Sequence, residues 1–383
     1  MNLEHLRGEI DRVDDEMAAL LARRMDLAAE VAAEKKNSGG PVFQQNREQA
    51  IIERLKHITP PQYQPALKLL YASLFQASRA YQNSLLAGDG DSELRREIAA
   101  AVERGKEGFP REASVACQGI EGAYSHIAAR ALFERPKVVF LRTFDAVFRA
   151  VEQGLCRYGV LPIENSSYGS VTAVYDLLKE RHCSIVRALR QPIDHCLLSR
   201  AKYLGEVREI YSHEQALRQC GAFLDRLGSR VEIIVCENTA VAARMAAQSG
   251  RGDVAAISSE ECAALYGLNI LKRDIQNEPR NETRFICIAR KAEIYEGANK
   301  SSVLLNLKHE PGSLAALLQL LAAMGVNLTK LENRPAPGRE FEVMFYLDME
   351  CDAAQPDAAR ILEEMERQSE SFLFLGSYAE EGL

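Results

Sequence analysis

The sequence predicts a multidomain protein in which an all-α segment, an α/β segment and an α+β segment follow one another. Its 383 residues exceed what one compact core usually organises. Apolar residues recur at helical spacing near the N-terminus, whereas after about residue 113 short apolar runs alternate with helical stretches. We place the domains at 1–87, 113–293 and 300–383, with a linker at 88–112.

The composition excludes several classes of function. A formal net charge of -7 gives no electrostatic reason to expect nucleic acid. The apolar runs are too short for a membrane span, and the N-terminal sequence MNLEHLRGEI is charged where a signal peptide is apolar. Nine cysteines without a CxxC spacing indicate reduced, mostly buried thiols and no metal site. We therefore expect a cytoplasmic protein.

The first segment is predicted to be helical throughout. Gly-Gly-Pro and Pro-Pro sequences divide it into three helices, at about 3–36, 45–57 and 65–86. The first helix would be ~50 Å long, which two shorter helices cannot cover. Its apolar stripe therefore predicts a second copy of the chain, in an intertwined dimer.

The linker is rich in glycine and charge and has a helical middle. Beyond it, apolar strands such as SVACQG, YGVLPIENS and DVAAISS alternate with helical runs, which favours an α/β domain with a mainly parallel sheet. From Ser301 the predicted order is βαββαβ, the ferredoxin-like arrangement.

Small hydroxyl or amide residues stand where strands of the α/β segment give way to helices. They are Ser125, Asn165, Ser166, Ser212, Thr239 and Ser258. Several helix N-termini at one sheet edge would bind carboxylates. Ordinary helix capping is the alternative explanation for each residue taken singly.

Four motifs in the α/β segment resemble those of prephenate dehydratases. They are QGIEGAYSHIAA (118–129), PIENSSYGSV (162–171), YSHEQALRQC (211–220) and NETRF (281–285). The preceding segment resembles the helical chorismate mutases, and the following one resembles an ACT domain. The chain thus resembles the bifunctional chorismate mutase–prephenate dehydratases, which implies a two-lobed, periplasmic-binding-protein-like fold for residues 113–293.

The resemblance implies that the middle domain removes carbon dioxide and a hydroxyl group from prephenate, giving phenylpyruvate without a cofactor. Thr283 would donate to the leaving hydroxyl, and Arg284 would be structural or bind a carboxylate. Further residues implied in the cleft are Glu164, Asn165, Ser125, Ser166, Ser212, His213, Gln215, Gln219 and Thr239. Because a threonine hydroxyl is a weak acid, Glu164 with a raised pKa and His213 remain alternative proton donors.

For the first domain the resemblance implies the rearrangement of chorismate to prephenate. The implied site consists of Arg7, Arg24, Lys35, Gln44, Arg47, Glu48, Ser78 and Gln82. Lys35 and Gln82 would contact the ether oxygen, and Glu48 the ring hydroxyl. Gln44 stands where the relatives have Asp.

Spacing along the first helix constrains this site. Arg24 lies ~16 Å from Lys35, whereas Arg7 lies ~42 Å from it and can join the same site only from a partner chain. A solvated charged face is the alternative explanation for each of these residues.

Two C-terminal motifs resemble those with which ACT domains of this family bind phenylalanine as a feedback inhibitor. HEPGSLAALL (309–318) contributes Pro311, Gly312, Ser313 and Leu314, and LENRP (331–335) contributes Glu332, Asn333, Arg334 and Pro335. Asn333 replaces the usual serine. A plain turn and a strand end are the alternative interpretation.

Two alternative functions stay open. The dehydratase could prefer arogenate, the amino derivative of prephenate, or the chain could be a non-catalytic regulatory protein that binds an amino acid or carboxylate.

Overall fold

The computed structural model describes residues 2–39, 42, 44–87, 92–335 and 343–382. It forms two compact units: Met1–Glu93 with Lys308–Gly325, and Leu94–Leu307 with Val326–Leu383. Parts of three predicted features lie outside the described residues: Gly40-Pro41 after the first helix, 88–91 of the linker, and 340–342 of a predicted strand.

The first unit contains the three predicted helices, which are confirmed: α1 (Leu3–Ser38), α2 (Gln45–Lys56) and α3 (Gln64–Ala87). The Asn2 side chain caps α1 at its N-terminus, and Gly39 ends it with a positive φ of 70°. Both α1 and α2 pack on α3. The outer face of α1 keeps large apolar side chains in solvent, with Ile10 59% and Leu20 63% exposed.

The linker contains the predicted helix, α4 (Glu93–Gly105), and this helix is docked on the second unit. Its Leu94, Ile98 and Ala101 are buried. Arg104 Nε donates to the Ala292 carbonyl at 2.7 Å, and the Ile294 N–H donates to the Ala101 carbonyl at 3.0 Å. These hydrogen bonds and buried side chains hold α4 against the rest of the second unit.

The α/β region forms two lobes, each built on its own sheet. In chain order the first lobe contains β1 (Glu112–Gln118), α5 (Tyr124–Leu132), β2 (Arg135–Leu141), α6 (Phe144–Glu152), β3 (Tyr158–Asn165), β4 (Gly169–Ser170), α7 (Thr172–Glu180) and β5 (Ser184–Pro192). The second lobe contains β6 (Cys196–Ser199), β7 (Glu209–Ser212), α8 (Glu214–Gln219), α9 (Gly221–Leu227), β8 (Glu232–Val235), α10 (Thr239–Gln248), β9 (Val254–Ser258), α11 (Glu260–Tyr266) and β10 (Asn269–Lys272). The chain then returns to the first lobe as β11 (Glu282–Ala289).

The expectation of a mainly parallel sheet is wrong, because both sheets are mixed. In the first sheet β1 pairs in parallel with β2 and β3, whereas β11 lies antiparallel between β3 and β5. In the second, β7 is parallel to β8 and β9, whereas β6 is antiparallel to β9 and β10. The antiparallel strands lie next to the two places where the chain crosses between the lobes. A helical crossover makes consecutive strands parallel, whereas these crossings are made by loops.

The C-terminal segment follows the predicted order of elements: β12 (Lys300–Leu307), α12 (Ser313–Ala323), β13 (Leu328–Pro335), β14 (Val343–Met349), α13 (Pro356–Gln368) and β15 (Ser369–Tyr378). Its four strands form an antiparallel sheet in the order β13-β14-β12-β15. A last strand, β16 (Glu380–Gly382), pairs in parallel with β5. Helix α12 belongs to the first unit, where the Gln76 side-chain amide donates to the Ala316 carbonyl.

All nine cysteines are free, and seven of them are buried, as the composition predicted.

Candidate active sites

A cavity of about 420 Å³ lies between the two lobes of the α/β region. Seven of the predicted dehydratase residues line it: Ser125, Asn165, His213, Gln215, Gln219, Thr239 and Thr283. Residues outside the predicted set also line it, among them Gln118, Tyr124, His195, Glu237 and Asn238. The cavity follows the carboxyl ends of strands β1 and β3, the usual ligand position of an open α/β sheet.

Asn165 and Thr283 form the polar centre of the cavity wall. They are directly opposite each other on the antiparallel strands β3 and β11. The Asn165 side-chain amide donates to Thr283 Oγ1 at 2.9 Å, and Asn165 Oδ1 accepts from the Ser167 and Tyr168 N–H groups. Because its oxygen accepts from Asn165, the Thr283 hydroxyl is oriented and retains its own proton for donation.

Glu164 and Arg284 occupy the opposite face of the same two strands. They too are directly opposite each other, one position along from Asn165 and Thr283. Since successive residues of a strand project to opposite faces, neither residue can share the face of Asn165. Glu164 Oε1 instead binds Lys330 Nζ at 2.6 Å. The expectation that Glu164 lines the cleft is therefore corrected.

Arg284 is buried in an ionic network with the C-terminal segment, which favours the structural role over carboxylate binding. Its guanidinium pairs with Asp348, donates to the Tyr378 hydroxyl at 2.8 Å and lies 2.5 Å from Glu380 Oε2. Lys300 Nζ binds the other oxygen of Glu380 at 2.6 Å. The cations and carboxylates thus compensate one another away from water.

Two serines predicted for the cleft make backbone hydrogen bonds instead of lining the cavity. The buried Ser212 hydroxyl donates to the Ile257 carbonyl at 2.8 Å. The exposed Ser166 hydroxyl accepts from the Glu282 N–H at 3.0 Å and donates to the Arg280 carbonyl at 3.3 Å. Both hydroxyl groups therefore hold together strands and loops around the cavity.

His195 is the main cavity residue that sequence reasoning missed. Its Nε2 donates to Gln219 Oε1 at 2.7 Å, and Tyr124 Oη lies 3.3 Å from its Nδ1. Burial lowers the pKa of His195, so the ring is held neutral. The residue stands in the crossing between β5 and β6, and only this tertiary position, not its neighbours in the sequence, brings it to Gln219.

His213 is the N-cap of α8, and its Nδ1 accepts from the Gln215 N–H at 3.3 Å. Burial lowers the pKa of His213 as well, which makes a protonated donor at this position unfavourable. Asn238 caps α10 by accepting from the Val241 N–H at 2.8 Å. Both residues are therefore helix caps that also line the cavity, and the cap of α10 is Asn238, the residue before the predicted Thr239.

In the first unit two predicted mutase residues leave buried polar atoms without a hydrogen-bond partner among the described residues. They are Arg24 Nη1 and Gln82 Oε1. The Arg24 guanidinium lies over the Phe75 ring at 5.7 Å, and Gln82 Nε2 donates to Ser78 Oγ at 3.3 Å. A buried guanidinium nitrogen without a partner is costly in isolation and is suited to a carboxylate ligand.

The other predicted mutase residues are distributed along the helices of this unit. Lys35 Nζ donates to the Val42 carbonyl at 2.9 Å, and burial lowers the pKa of Lys35. Glu48 pairs with Arg79, a residue that the sequence analysis did not select. Arg7, Gln44 and Arg47 are exposed. Because α1 is one continuous helix, Arg7 stays ~42 Å from Lys35 in the same chain.

The predicted phenylalanine residues fall into both compact units. Pro311, Gly312, Ser313 and Leu314 lie in the first unit, where Gly312 adopts a φ of 94° before α12. Residues 332–334 lie in the second, and the side chain of Pro335 is outside the described part. Glu332 Oε2 accepts from the Ser170 hydroxyl at 2.9 Å, and Arg334 binds Asp176 at 2.8 Å.

The described ranges contain no group of three or more His, Cys, Asp or Glu side chains that could hold a metal ion. Within those same ranges, none of the helices combines the length and apolar character needed to cross a membrane.

The fold combines a three-helix N-terminal region with a two-lobed α/β region that has a cavity between its lobes. Residues 115–293 match the family described as Prephenate dehydratase, and residues 6–83 match Chorismate mutase type II. The Bifunctional chorismate mutase/prephenate dehydratase of Escherichia coli (strain K12) is 34% identical over 385 residues, 99% of this chain and 96% of that protein. The chain therefore belongs to the family of bifunctional chorismate mutase/prephenate dehydratases.

Two further relatives each cover about 70% of this chain. Arogenate dehydratase/prephenate dehydratase 2, chloroplastic, of Arabidopsis thaliana is 39% identical over 277 residues, 69% of this chain and 72% of that protein. The crystal structure of a prephenate dehydratase from Arthrobacter aurescens in complex with L-Phe matches with a TM-score of 0.64 at 29% identity, covering 70% of this chain and 89% of that one.

Proposed function

We propose that the chain catalyses two reactions of phenylalanine biosynthesis, the rearrangement of chorismate to prephenate and the conversion of prephenate to phenylpyruvate. The observation that carries the second activity is the Asn165–Thr283 pair in the cavity wall. The unpartnered buried atoms of Arg24 and Gln82 support the first. Neither reaction requires a cofactor.

In the dehydratase reaction the bond from the ring to its carboxylate breaks, and its electron pair enters the ring as the hydroxyl leaves. With one proton, prephenate gives phenylpyruvate, carbon dioxide and water. Thr283 donates a hydrogen bond to the departing hydroxyl and is oriented by Asn165. The neutral His195 donates its Nε2–H to Gln219 Oε1, so the side-chain NH2 of Gln219 is the group of this pair that can donate to the substrate.

In the mutase reaction no nucleophile or proton transfer is needed. Catalysis consists of holding chorismate in its reactive conformation and stabilising negative charge on the ether oxygen. Arg24 and Arg47 bind carboxylates, Lys35 and Gln82 contact the ether oxygen, and Glu48 binds the ring hydroxyl.

The mutase site requires a dimer in which Arg7 comes from the partner chain. The exposed apolar face of α1, with Ile10 and Leu20 in solvent, supports an antiparallel partner helix on that face. Mixing Arg7→Ala with Lys35→Ala protein tests this arrangement, because a heterodimer places both changes in one site and leaves the other intact. Mutase activity should return after subunit exchange. Exchange without any recovery would contradict the shared site.

The C-terminal segment is assigned as a ferredoxin-like ACT domain that binds phenylalanine and inhibits the dehydratase. Its strand order and the L-Phe in the related Arthrobacter aurescens structure support this assignment. The positive φ of Gly312 favours glycine there and keeps the N–H groups before α12 accessible to a carboxylate. Gly312→Val should weaken inhibition without lowering the uninhibited turnover. Titration calorimetry of the full chain with phenylalanine measures binding directly.

Purified protein supplied with chorismate or prephenate tests the two activities separately. Formation of phenylpyruvate from prephenate also decides against a non-catalytic binding protein. The Arabidopsis thaliana relative is named both an arogenate and a prephenate dehydratase, so arogenate is the second substrate to test. The ratio of kcat/KM for prephenate and arogenate, measured on one preparation, determines the preference.

A further inference from the structure

Three charged side chains on one face of β13 contact the first lobe of the α/β region. Lys330, Glu332 and Arg334 occupy alternate positions of the strand and therefore project to the same side. Lys330 Nζ binds Glu164 Oε1 at 2.6 Å and donates to Ser170 Oγ at 3.0 Å. Together with the Glu332–Ser170 and Arg334–Asp176 contacts, this charged face of β13 meets β3, β4 and α7.

Lys330 is the residue of this face that contacts β3 next to the Asn165–Thr283 pair. It pairs with Glu164, the residue immediately before Asn165, and its Nζ also lies 3.5 Å from Glu332 Oε2. Glu164 adjoins Asn165 along β3, so its carboxylate projects from the strand face opposite the one that lines the cavity. The carboxylate is 31% exposed and the ammonium 15%, so bulk water screens this pair incompletely.

We propose that Lys330 is a positioning residue of the dehydratase: it holds Glu164 on the outer face of β3 and cancels a negative charge that would otherwise repel the dianionic substrate. This inference rests on the proposed dehydratase activity. It assigns to a C-terminal strand a part in substrate binding.

Lys330→Met tests the inference, because it removes the charge and retains much of the side-chain volume. Lacking its counter-ion, Glu164 should raise the KM for prephenate about three- to tenfold, with kcat within about twofold of wild type. The rise in KM should shrink between about 0.05 and 0.5 M salt, because ionic screening weakens the repulsion. Lys330→Arg keeps the charge and should leave KM unchanged.

The double variant Lys330→Met/Glu164→Gln separates electrostatics from loss of structure. It removes both charges, so KM should return towards the wild-type value. Mutase activity of the same preparation shows that the protein is folded. If Lys330→Met does not fold, Glu164→Gln decides: the Lys330 charge left without this counter-ion should attract the dianionic substrate and lower KM, whereas an unchanged KM would contradict the inference.

The outcomes are distinguishable. An unchanged KM in Lys330→Met, or a double variant as impaired as Lys330→Met, would overturn the role of Lys330 while leaving the dehydratase activity in place. A salt-independent rise in KM would also contradict it. A wild-type chain that forms no phenylpyruvate would overturn the proposed function and this inference with it.

Discussion

Thr283→Val removes the hydroxyl proposed to assist the leaving group while keeping the shape of the side chain. Losing one donor aimed at a developing charge typically lowers kcat about 10²- to 10³-fold. The Asn165 amide would lose one acceptor but keep Asn281 Oδ1 at 2.9 Å and the Glu282 carbonyl at 3.1 Å. The free energy of unfolding should therefore fall by only about 0.5–1.5 kcal/mol.

The assay is phenylpyruvate formation from prephenate, with mutase activity of the same preparation as the control for folding. Thr283→Ser keeps a hydroxyl at nearly the same position and should retain most of the activity. A Thr283→Val enzyme within about threefold of wild-type kcat would refute the assignment of the donor. A Thr283→Ser enzyme as inactive as Thr283→Val would show that the methyl packing, not the hydroxyl, matters.

Three further predictions concern other parts of the chain. Lys35→Ala should lower mutase kcat by about 10²-fold or more, through loss of the charge at the ether oxygen, and leave phenylpyruvate formation from prephenate unchanged when both activities are assayed. Because burial lowers the pKa of His195, the unfolded chain binds a proton that the native one does not, so stability is complete above about pH 6.5 and falls below it; thermal unfolding from about pH 8 to 5 should show a smaller loss in His195→Gln. Arg284→Met leaves Asp348 and Glu380 without their buried cation and should cost about 3–5 kcal/mol in urea unfolding, whereas a loss below about 1 kcal/mol would contradict the structural role.

The helical segment could be predicted closely from the sequence because its signals are local. Glycine and proline breakers and a 3.6-residue apolar period locate α1, α2 and α3 to within a residue or two. The exposed face of α1 was predictable for the same reason. The direction of the strands could not be predicted from the sequence. Strands β6 and β11 follow crossings between the two lobes, and an alternation of strands and helices does not distinguish such crossings from helical crossovers.

The dehydratase site shows which residues a motif can misplace. Glu164 and Asn165 are neighbours in the same motif, yet the period of two in a strand sends them to opposite faces. The alternation therefore excludes one of them from the cleft, and only the structure shows which. His195 lacks any such local signal, because it reaches the cavity through the crossing from β5 to β6 and its hydrogen bond to Gln219.

The same alternation governs the effector motif on β13. Glu332 and Arg334 face the dehydratase lobe and are half-buried there, whereas Asn333 between them is exposed on the other side. Phenylalanine recognition by this motif would then depend on Asn333 and the backbone, because the two charged residues already have partners. An effector bound on the exposed side of β13, where Asn333 lies, would contact the same strand that carries Lys330 on its other side. Any shift of that strand changes the distance between Lys330 and Glu164, and with it the electrostatic potential beside Asn165.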